Sequence, residues 1–231
     1  MSGFDVFQLA AVLLFCVILT VKIAVTARST GRSPVTIGRH KQPAETAAEC
    51  AFPAIAAVSL VTVAVRALRV QDSLMQWGAS HLGLPAWLVE TVRLAFRSAW
   101  PAVPAANWVG AAFIVAGFVI LISAYWTIGH SWRVGTDIRA PGPLVTRGIY
   151  RISRNPIYLF FHLYLLGSVL ITGSIIVLAC LLCQIATVHW LIRYEERSLA
   201  RIHGSRYVAY RRRTGRYWTV RCHDAGAEPG C

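Results

Sequence analysis

The distribution of apolar residues along the chain predicts a membrane protein built from helices. Five apolar runs, separated by polar segments, cover residues 6–25, 47–65, 108–128, 157–172 and 175–192. The first three have about the length of 20 residues that an α-helix needs to cross a bilayer. We therefore expect an all-α integral membrane protein with about five transmembrane helices.

The last two apolar runs differ from the others. The fourth has about fifteen residues, or roughly 22 Å of helix, and only Thr172-Gly173-Ser174 separates it from the fifth. This spacing predicts a C-terminal helical hairpin that is short for the bilayer, with its ends drawn below the surface. The residues after it predict an amphipathic tail helix on the cytoplasmic side.

Lysine and arginine residues predict the orientation, because cytoplasmic loops of membrane proteins carry an excess of both. They cluster after the first run, before the hairpin and in the tail. The first two clusters are Arg28, Arg32, Arg39 and Lys41, and Arg133, Arg139, Arg147, Arg151 and Arg154. We expect an inner (plasma) membrane protein with an outside N-terminus, and with residues 71–107 as an outer interfacial or re-entrant segment. Arg66 and Arg69 then lie on the outer side, against the rule.

The composition excludes a water-soluble class. Of the 231 residues 56% are hydrophobic and 14% charged, whereas soluble domains average about 25% charged residues. The net charge of +13 does not indicate nucleic acid, because the basic residues lie between apolar runs, where anionic lipid headgroups are sufficient partners. Cys180 and Cys183 form a C-x-x-C without a second pair, so we interpret them as structural thiols and expect no metal site.

Polar residues crowd the entry of the hairpin. Asn155 is biased away from the helix because it precedes Pro156, which suits the first helical position. Arg154 and Asn155 therefore lie at a helix N-terminus, where free N–H groups favour carboxylates and phosphates. A basic membrane anchor explains the other arginines, but not the order Arg-Asn-Pro-x-Tyr that ends at Tyr158. The glycines from Gly129 onward predict a compact loop that could approach a ligand, but simple turns explain them better.

The exit of the fifth run carries two adjacent acids, Glu195 and Glu196. On a helix they point about 100° apart, and they lie at the helix end that disfavours carboxylates. Local pairing with neighbouring arginines is the structural alternative. Tyr207 and Tyr210 follow at a helical spacing. Since a hairpin brings its ends together, we expect one site that presents cations and carboxylates to a zwitterionic ligand.

The two segments "GIYRISRNPIY" (148–158) and "EERSLARIHGSRYVAY" (195–210) resemble the isoprenylcysteine carboxyl methyltransferase and phospholipid methyltransferase superfamily of membrane enzymes. The resemblance covers about residues 129–218. It implies S-adenosylmethionine as methyl donor and a cofactor pocket that faces the cytoplasm. Matched by position, the implied catalytic residues are Arg154, Glu195 and Glu196. The implied cofactor-binding residues are Gly129, His130, Gly148, Tyr150, Asn155, Pro156, Tyr158, Glu195, Glu196, Tyr207 and Tyr210.

These residues divide the chain into a three-span scaffold, 1–128, and a catalytic region, 129–231. The chain also departs from the family pattern. Asn155 stands where many members have histidine, and an amide does not titrate, so no histidine base is expected there. Phe160, His203 and Trp218 replace residues that are frequently glycine, phenylalanine and proline.

The resemblance implies that the protein is a membrane methyltransferase that acts on a lipophilic or membrane-embedded acceptor. The group that receives the methyl would be a carboxylate, thiol, amine or hydroxyl, and the protein's partners would be membrane lipids. An amine or a hydroxyl needs a general base, for which Glu195, Glu196 and His130 are the candidates. Two alternatives stay open. One is an NADPH-dependent reductase of the sterol reductase type, and the other is a lipid-binding protein without enzymatic activity.

Overall fold

The computed structural model describes residues 2–31, 33–37, 43–96, 103–133 and 142–219, and every regular element in these ranges is a helix. The eight α-helices are α1 (Gly3–Thr30), α2 (Pro43–Leu68), α3 (Gln71–Leu82), α4 (Ala86–Phe96), α5 (Pro104–Ile128), α6 (Pro156–Thr172), α7 (Ile175–His203) and α8 (Ser205–Arg213). The predicted all-α fold is confirmed. The predicted basic residues Arg32, Arg39, Lys41 and Arg139 lie outside the described ranges.

Within the described ranges, four helices, α1, α2, α5 and α7, are long and apolar enough to cross a membrane. The fifth apolar run forms α7, which continues to His203. The two acids therefore lie about two turns before the end of the helix and not at its end, as the sequence had suggested. The fourth run forms α6, a shorter apolar helix of 17 residues. At about 1.5 Å per residue, α6 is roughly 25 Å long and shorter than a typical bilayer core.

The predicted hairpin is present as α6 and α7, which are joined by Gly173 and Ser174 alone. Gly173 has a left-handed backbone with φ 61°, and its N–H donates to the carbonyl of Val169 at 2.8 Å. Such a cap ends a helix at a glycine because a side chain would be strained there. The turn therefore fixes the two ends of the hairpin side by side.

Close packing of α5 against α6 forms the core. Gly110 and Gly167 face each other, and a Cβ at Gly110 would lie 2.6 Å from the carbonyl oxygen of Gly167. Small residues allow membrane helices to approach in this way. The buried side chains of the two helices fill the space beside this contact: Ile114, Phe118 and Leu121 from α5, and Phe160, Tyr164 and Leu165 from α6.

Three basic residues in or beside the apolar helices have structural partners. Lys22 of α1 donates to the carbonyls of Tyr125 and Gly129 at 3.0 and 2.8 Å, where α5 ends. At the opposite end of the bundle, Arg66 donates to the carbonyl of Thr172 at 2.8 Å and Arg69 pairs with Asp5 at 3.1 Å. These contacts bond carbonyls at helix C-termini and a carboxylate at a helix N-terminus. They explain why Arg66 and Arg69 depart from the charge rule.

The segment 71–107, expected to be interfacial, contains α3 and α4. Both are short, with 12 and 11 residues. Trp77 and Trp87 on these helices are exposed, at 55% and 69% of their surface. Amphipathic tryptophans favour the level of the lipid headgroups, so these two helices suit the membrane surface.

Candidate functional site

The segment that leads into α6 is held in place by the end of α5. Gly148 begins a short 3₁₀ turn, Gly148–Arg151, with φ 57°. A Cβ at Gly148 would lie only 2.7 Å from Thr127 Oγ1, so glycine is required on grounds of both backbone conformation and space. Pro156 then occupies the first position of α6, as predicted. The arginines and tyrosines of this segment are thereby positioned beside α7 and α8.

Glu196 lies at the centre of a charged cluster. Its carboxylate pairs with Arg154 Nη1 at 2.9 Å through Oε1 and with Arg216 Nη2 at 2.8 Å through Oε2. The side chains of Arg154 and Glu196 are only 10% and 11% exposed, while that of Arg216 is 31% exposed. Glu196 therefore pairs with arginines from other segments and not with its neighbours in the sequence. The hairpin does bring Arg154 to the acidic pair.

Arg216 belongs to a tail strap, residues 214–219, that crosses the entry of α6. The Arg154 N–H donates to the Gly215 carbonyl at 3.0 Å, and Asn155 Nδ2 donates to the Arg216 carbonyl at 3.1 Å. Thr219 Oγ1 donates to the Ile152 carbonyl at 2.7 Å. Asn155 is buried, and the hydrogen bond from its side-chain amide anchors the strap. This contact does not depend on pH, because an asparagine side chain does not titrate.

Tyrosines complete the polar side of the site. Arg154 Nη1 donates to the Tyr207 hydroxyl at 3.3 Å, and the Tyr210 hydroxyl donates to the Tyr150 carbonyl at 2.7 Å. Burial raises the pKa of Tyr150 and Tyr210 above the ordinary value of a phenol, and burial together with Glu196 raises the pKa of Tyr207. All three therefore stay neutral near pH 7 and act as hydrogen-bonding groups, not as anions.

These residues line one cavity of about 650 Å³. Its polar mouth is formed by Tyr150, Arg154, Asn155, Glu195, Glu196, Tyr207 and Tyr210. Its apolar arm extends between the first two helices and is lined by Phe15, Leu19, Ile23, Phe52, Ala56 and Leu60, with Phe161 of α6. The volume lies within the range of about 300–1,000 Å³ that is typical of small-molecule sites.

The helix phase of α7 separates the roles of the two glutamates. Glu196 is buried at 9% exposure within the arginine cluster, whereas Glu195 is half-buried. Both line the cavity, and so do Pro156 and Tyr158 at the first turn of α6. The structure thus brings nine of the sequence-predicted site residues to the same cavity: Tyr150, Arg154, Asn155, Pro156, Tyr158, Glu195, Glu196, Tyr207 and Tyr210.

The other three predicted residues, Gly129, His130 and Gly148, lie outside the lining of this cavity. The Gly129 carbonyl accepts from Lys22, and His130 is exposed, with Nδ1 2.8 Å from the hydroxyl of Ser29. Gly148 packs against Thr127. These three residues of the segment between α5 and α6 do not line the cavity. Their part in cofactor binding stays a prediction.

Sequence reasoning assigned no site role to three charged residues at or near the cavity, Glu49, Arg133 and Arg216. Arg216 lies on the tail strap, and its partner Glu196 is far away in sequence, so no local pattern indicates the pair. Glu49 of α2 is 7% exposed and lines the cavity. It could have been found, since an acid within a predicted membrane span is a functional candidate by default.

The comparison with protein families agrees with this geometry. Residues 105–206 match the family described as phospholipid methyltransferase. The match covers less than half of the chain, from the first turn of α5 into α8, and it includes most residues of the polar mouth. It confirms the resemblance to integral membrane methyltransferases over this region. Neither a curated protein nor a solved structure matches the chain.

Proposed function

We propose that this integral membrane protein, whose residues 105–206 match the phospholipid methyltransferase family, transfers a methyl group from S-adenosylmethionine to a lipophilic acceptor. The family match supports methyltransferase activity in general. The donor is what the family resemblance implies, and the lipophilic kind of acceptor is inferred from the cavity. The observation that carries the proposal is the continuity of the polar mouth with the apolar arm in a single cavity.

The residues of the polar mouth suit the donor in charge. Its amino acid end has a carboxylate and an ammonium group, and the mouth offers Arg154 beside Glu195 and Glu196. Charge-assisted hydrogen bonds of this kind are worth about 1.5–3 kcal/mol each. Tyr207 and Tyr210 add neutral hydroxyls for the remaining polar groups. When bound, the donor would supply a methyl group on a positively charged sulfur.

The protein's own contribution would be the positioning of the acceptor. A sulfonium methyl group is already activated, so the correct placement of the two reactants supplies most of the catalysis. The apolar arm would hold the acceptor's hydrocarbon part and direct its polar end into the mouth. Since the arm lies between membrane helices, a lipophilic acceptor would enter from the bilayer and the donor from the aqueous side.

We infer that the polar mouth faces the cytoplasm. The contacts of Lys22 and Ser29 place the end of α1 beside the end of α5, and Thr127 contacts the 148–151 turn. The basic residues at this end of the bundle include Arg28, Arg147, Arg151 and Arg211–Arg213. Basic residues concentrate on the cytoplasmic side of membrane proteins, and the inner (plasma) membrane of the cell is the proposed location.

The arrangement also narrows the choice of base. Both carboxylate oxygens of Glu196 are engaged by arginines, Oε1 by Arg154 at 2.9 Å and Oε2 by Arg216 at 2.8 Å. His130 lies outside the cavity lining. Neither group is therefore favoured as the base for an amine or hydroxyl acceptor, and Glu196 is assigned to binding.

Calorimetric titration in lipid nanodiscs tests the proposal. We expect S-adenosylhomocysteine, the demethylated product, to bind with one site per chain, and NADPH not to bind. Saturable binding of NADPH without binding of S-adenosylhomocysteine would favour the reductase alternative. Binding of neither ligand by folded protein would favour a lipid-binding protein.

A further inference from the structure

A small second cavity adjoins the apolar arm. It has a volume of about 10 Å³, which is room for about one water-sized group. The two cavities share part of their lining: Phe15, Ala56, Leu60 and Phe161. The rest of the small cavity is lined by α2, α6 and α7, through Ser59, Phe160, Tyr164, Leu165 and Gln184. A ligand that fills the arm would therefore end beside this second space.

The order of residues along α7 places the small cavity far from the polar mouth. Glu195 and Leu191 line the large cavity, and Gln184 lines the small one. These three positions, with Val188 between them, recur every three to four residues and so share one face of the helix. Gln184 and Glu195 are eleven positions apart in the sequence, or roughly 16 Å along the helix axis. The two cavities together thus have a polar group at each end.

The amide of Gln184 is a polar group without a structural explanation. Its side chain is 0% exposed, and neither Oε1 nor Nε2 has a hydrogen-bond partner among the residues that the structure describes. Buried polar groups are nearly always hydrogen-bonded, because their burial is otherwise costly. This cost is not relieved by bulk water in a membrane-spanning helix. An apolar residue would suit the position better, as Leu181 and Val188 do on the same helix, unless the amide binds a ligand.

The chemistry of an amide narrows the kind of ligand. Oε1 accepts hydrogen bonds and Nε2 donates them. A carbonyl or ether oxygen only accepts, so it would leave Oε1 without a partner. A hydroxyl both donates and accepts, so one hydroxyl in the small cavity satisfies both atoms. The buried hydroxyls of Ser59 and Tyr164, on the same cavity wall, add further hydrogen-bonding capacity.

We propose that Gln184 binds a hydroxyl on the apolar part of the acceptor, far from the group that is methylated. This inference rests on the proposed function and assigns the substrate class more narrowly, as a lipophile with a polar group in the mouth and a hydroxyl toward its other end. Gln184 is thereby a specificity-determining residue. A buried water is the other source of the same hydrogen bonds, and the experiment below separates the two.

Binding of matched fatty acids in the absence of donor tests the assignment. Decanoic, dodecanoic, tetradecanoic and hexadecanoic acid are each compared with the derivative that carries a hydroxyl on the terminal carbon. Each is titrated into the full-length protein in nanodiscs, with empty nanodiscs as the reference for partitioning. The carboxylate keeps the head of each probe at the polar end, so only the tail differs. At the best chain length we expect the hydroxyl to tighten binding about tenfold, the ratio that about 1.4 kcal/mol supplies.

Two matched variants isolate the amide. Gln184→Leu replaces it with an apolar side chain of similar size, and Gln8→Leu makes the same change at a buried position of α1 outside the lining of both cavities. We expect Gln184→Leu to abolish the preference for the terminal hydroxyl and Gln8→Leu to keep it. Affinity for S-adenosylhomocysteine should stay within about twofold in both variants, which is under 0.5 kcal/mol.

The wild-type protein also provides a test that needs no variant. An isomer with its hydroxyl on a mid-chain carbon places that group in the apolar arm, so it should bind no more tightly than the parent acid. Equal binding of the terminal and mid-chain isomers would overturn the proposal, whether or not Gln184→Leu folds.

The remaining outcomes separate this inference from the proposed function. A lack of preference at all four chain lengths would overturn the proposal and leave a structural water only, and a preference kept by Gln184→Leu would overturn the role of Gln184. Failure of wild-type protein to bind S-adenosylhomocysteine, with the preference for the terminal hydroxyl intact, would instead reject the methyltransferase.

Discussion

The polar mouth and the apolar arm of the cavity come from different parts of the chain. The polar mouth is formed by the 148–158 segment, α7 and α8, which lie within the region matched by the family or at its edge. The apolar arm is formed mainly by α1 and α2, which lie outside it. We therefore expect residues of the mouth to govern the donor, and residues of the arm to govern the acceptor.

The two regions also differ in how they are held together. Hydrogen bonds and ion pairs over the tail strap, α7 and α8 fix the polar mouth, whereas ring packing among Phe15, Phe52, Phe160 and Phe161 fixes the apolar arm. Directional contacts set the position of each polar group, while apolar packing sets mainly a shape. A substitution should consequently affect one function without the other, unless it breaks the core shared by both regions.

The largest effect is expected at that shared core. In Gly167→Ala the new Cβ would overlap the Gly110 carbonyl oxygen, which is backbone and cannot move aside, and would also crowd Ile114 Cγ1. Overpacking of this kind costs about 1–3 kcal/mol or more. The melting temperature should therefore fall, and binding of both the donor and the acceptor should be lost. Gly78→Ala in α3 is the control, because its Cβ would meet only the flexible end of Leu84. Equal melting temperatures for the two variants would show that the α5–α6 contact is not close.

The next effect is expected in the polar mouth alone. Glu196→Gln and Arg154→Ala should each weaken binding of S-adenosylhomocysteine by about tenfold to a hundredfold, since each 1.4 kcal/mol is tenfold. Arg151→Ala, at an exposed position, should change affinity far less. Calorimetry in nanodiscs measures all three. Unchanged affinity in both of the first two variants would place the donor elsewhere.

Much of this mouth could be predicted from the sequence, because its residues lie in short, continuous segments. The order Arg154-Asn155-Pro156 and the adjacent acids are short patterns, and a hairpin with a two-residue turn leaves one way to bring them together. The inward direction of Glu196 could not be predicted, because it depends on helix phase and helix ends are uncertain by a residue or two. The contact of Arg216 with Glu196 joins distant parts of the chain through an irregular strap, which has no periodic signal.

For the apolar arm, the sequence predicts the helices but not how they pack. Apolar runs predict that α1 and α2 exist, because the bilayer requires about 20 apolar residues per span. They do not predict which faces of these helices meet, since a helix that is apolar on all sides has no preferred face. The extension of α7 to His203 was also missed, because its last turns are polar and lie beyond the apolar run.

A smaller effect is expected from filling the apolar arm. Ala56→Phe adds a ring where α2 lines the cavity, and it should reduce transfer of label from donor into lipid extracts by about tenfold or more, given the cost of overpacking. Affinity for S-adenosylhomocysteine should stay within about twofold, which is under 0.5 kcal/mol. Ala54→Phe, on an exposed part of the same helix, is the control. A similar loss of label in both variants would show that the arm is not the acceptor's path.

The smallest effect is expected at the cysteines. Cys180 is buried against the core, whereas Cys183 is exposed on the same helix. Replacing both with alanine should cost about 1 kcal/mol of packing and leave donor affinity and metal content unchanged. Elemental analysis of the purified protein together with calorimetry checks this. Loss of a bound metal along with donor affinity would contradict the structural role.

The most direct test of the division between the two regions is a single calorimetric comparison of S-adenosylhomocysteine binding. Wild type, Glu196→Gln and Ala56→Phe are titrated in identical nanodiscs. We expect tight binding by wild type and by Ala56→Phe, and an affinity about tenfold to a hundredfold lower for Glu196→Gln. Loss of binding in Ala56→Phe as large as in Glu196→Gln would contradict the assignment of the donor to the polar mouth.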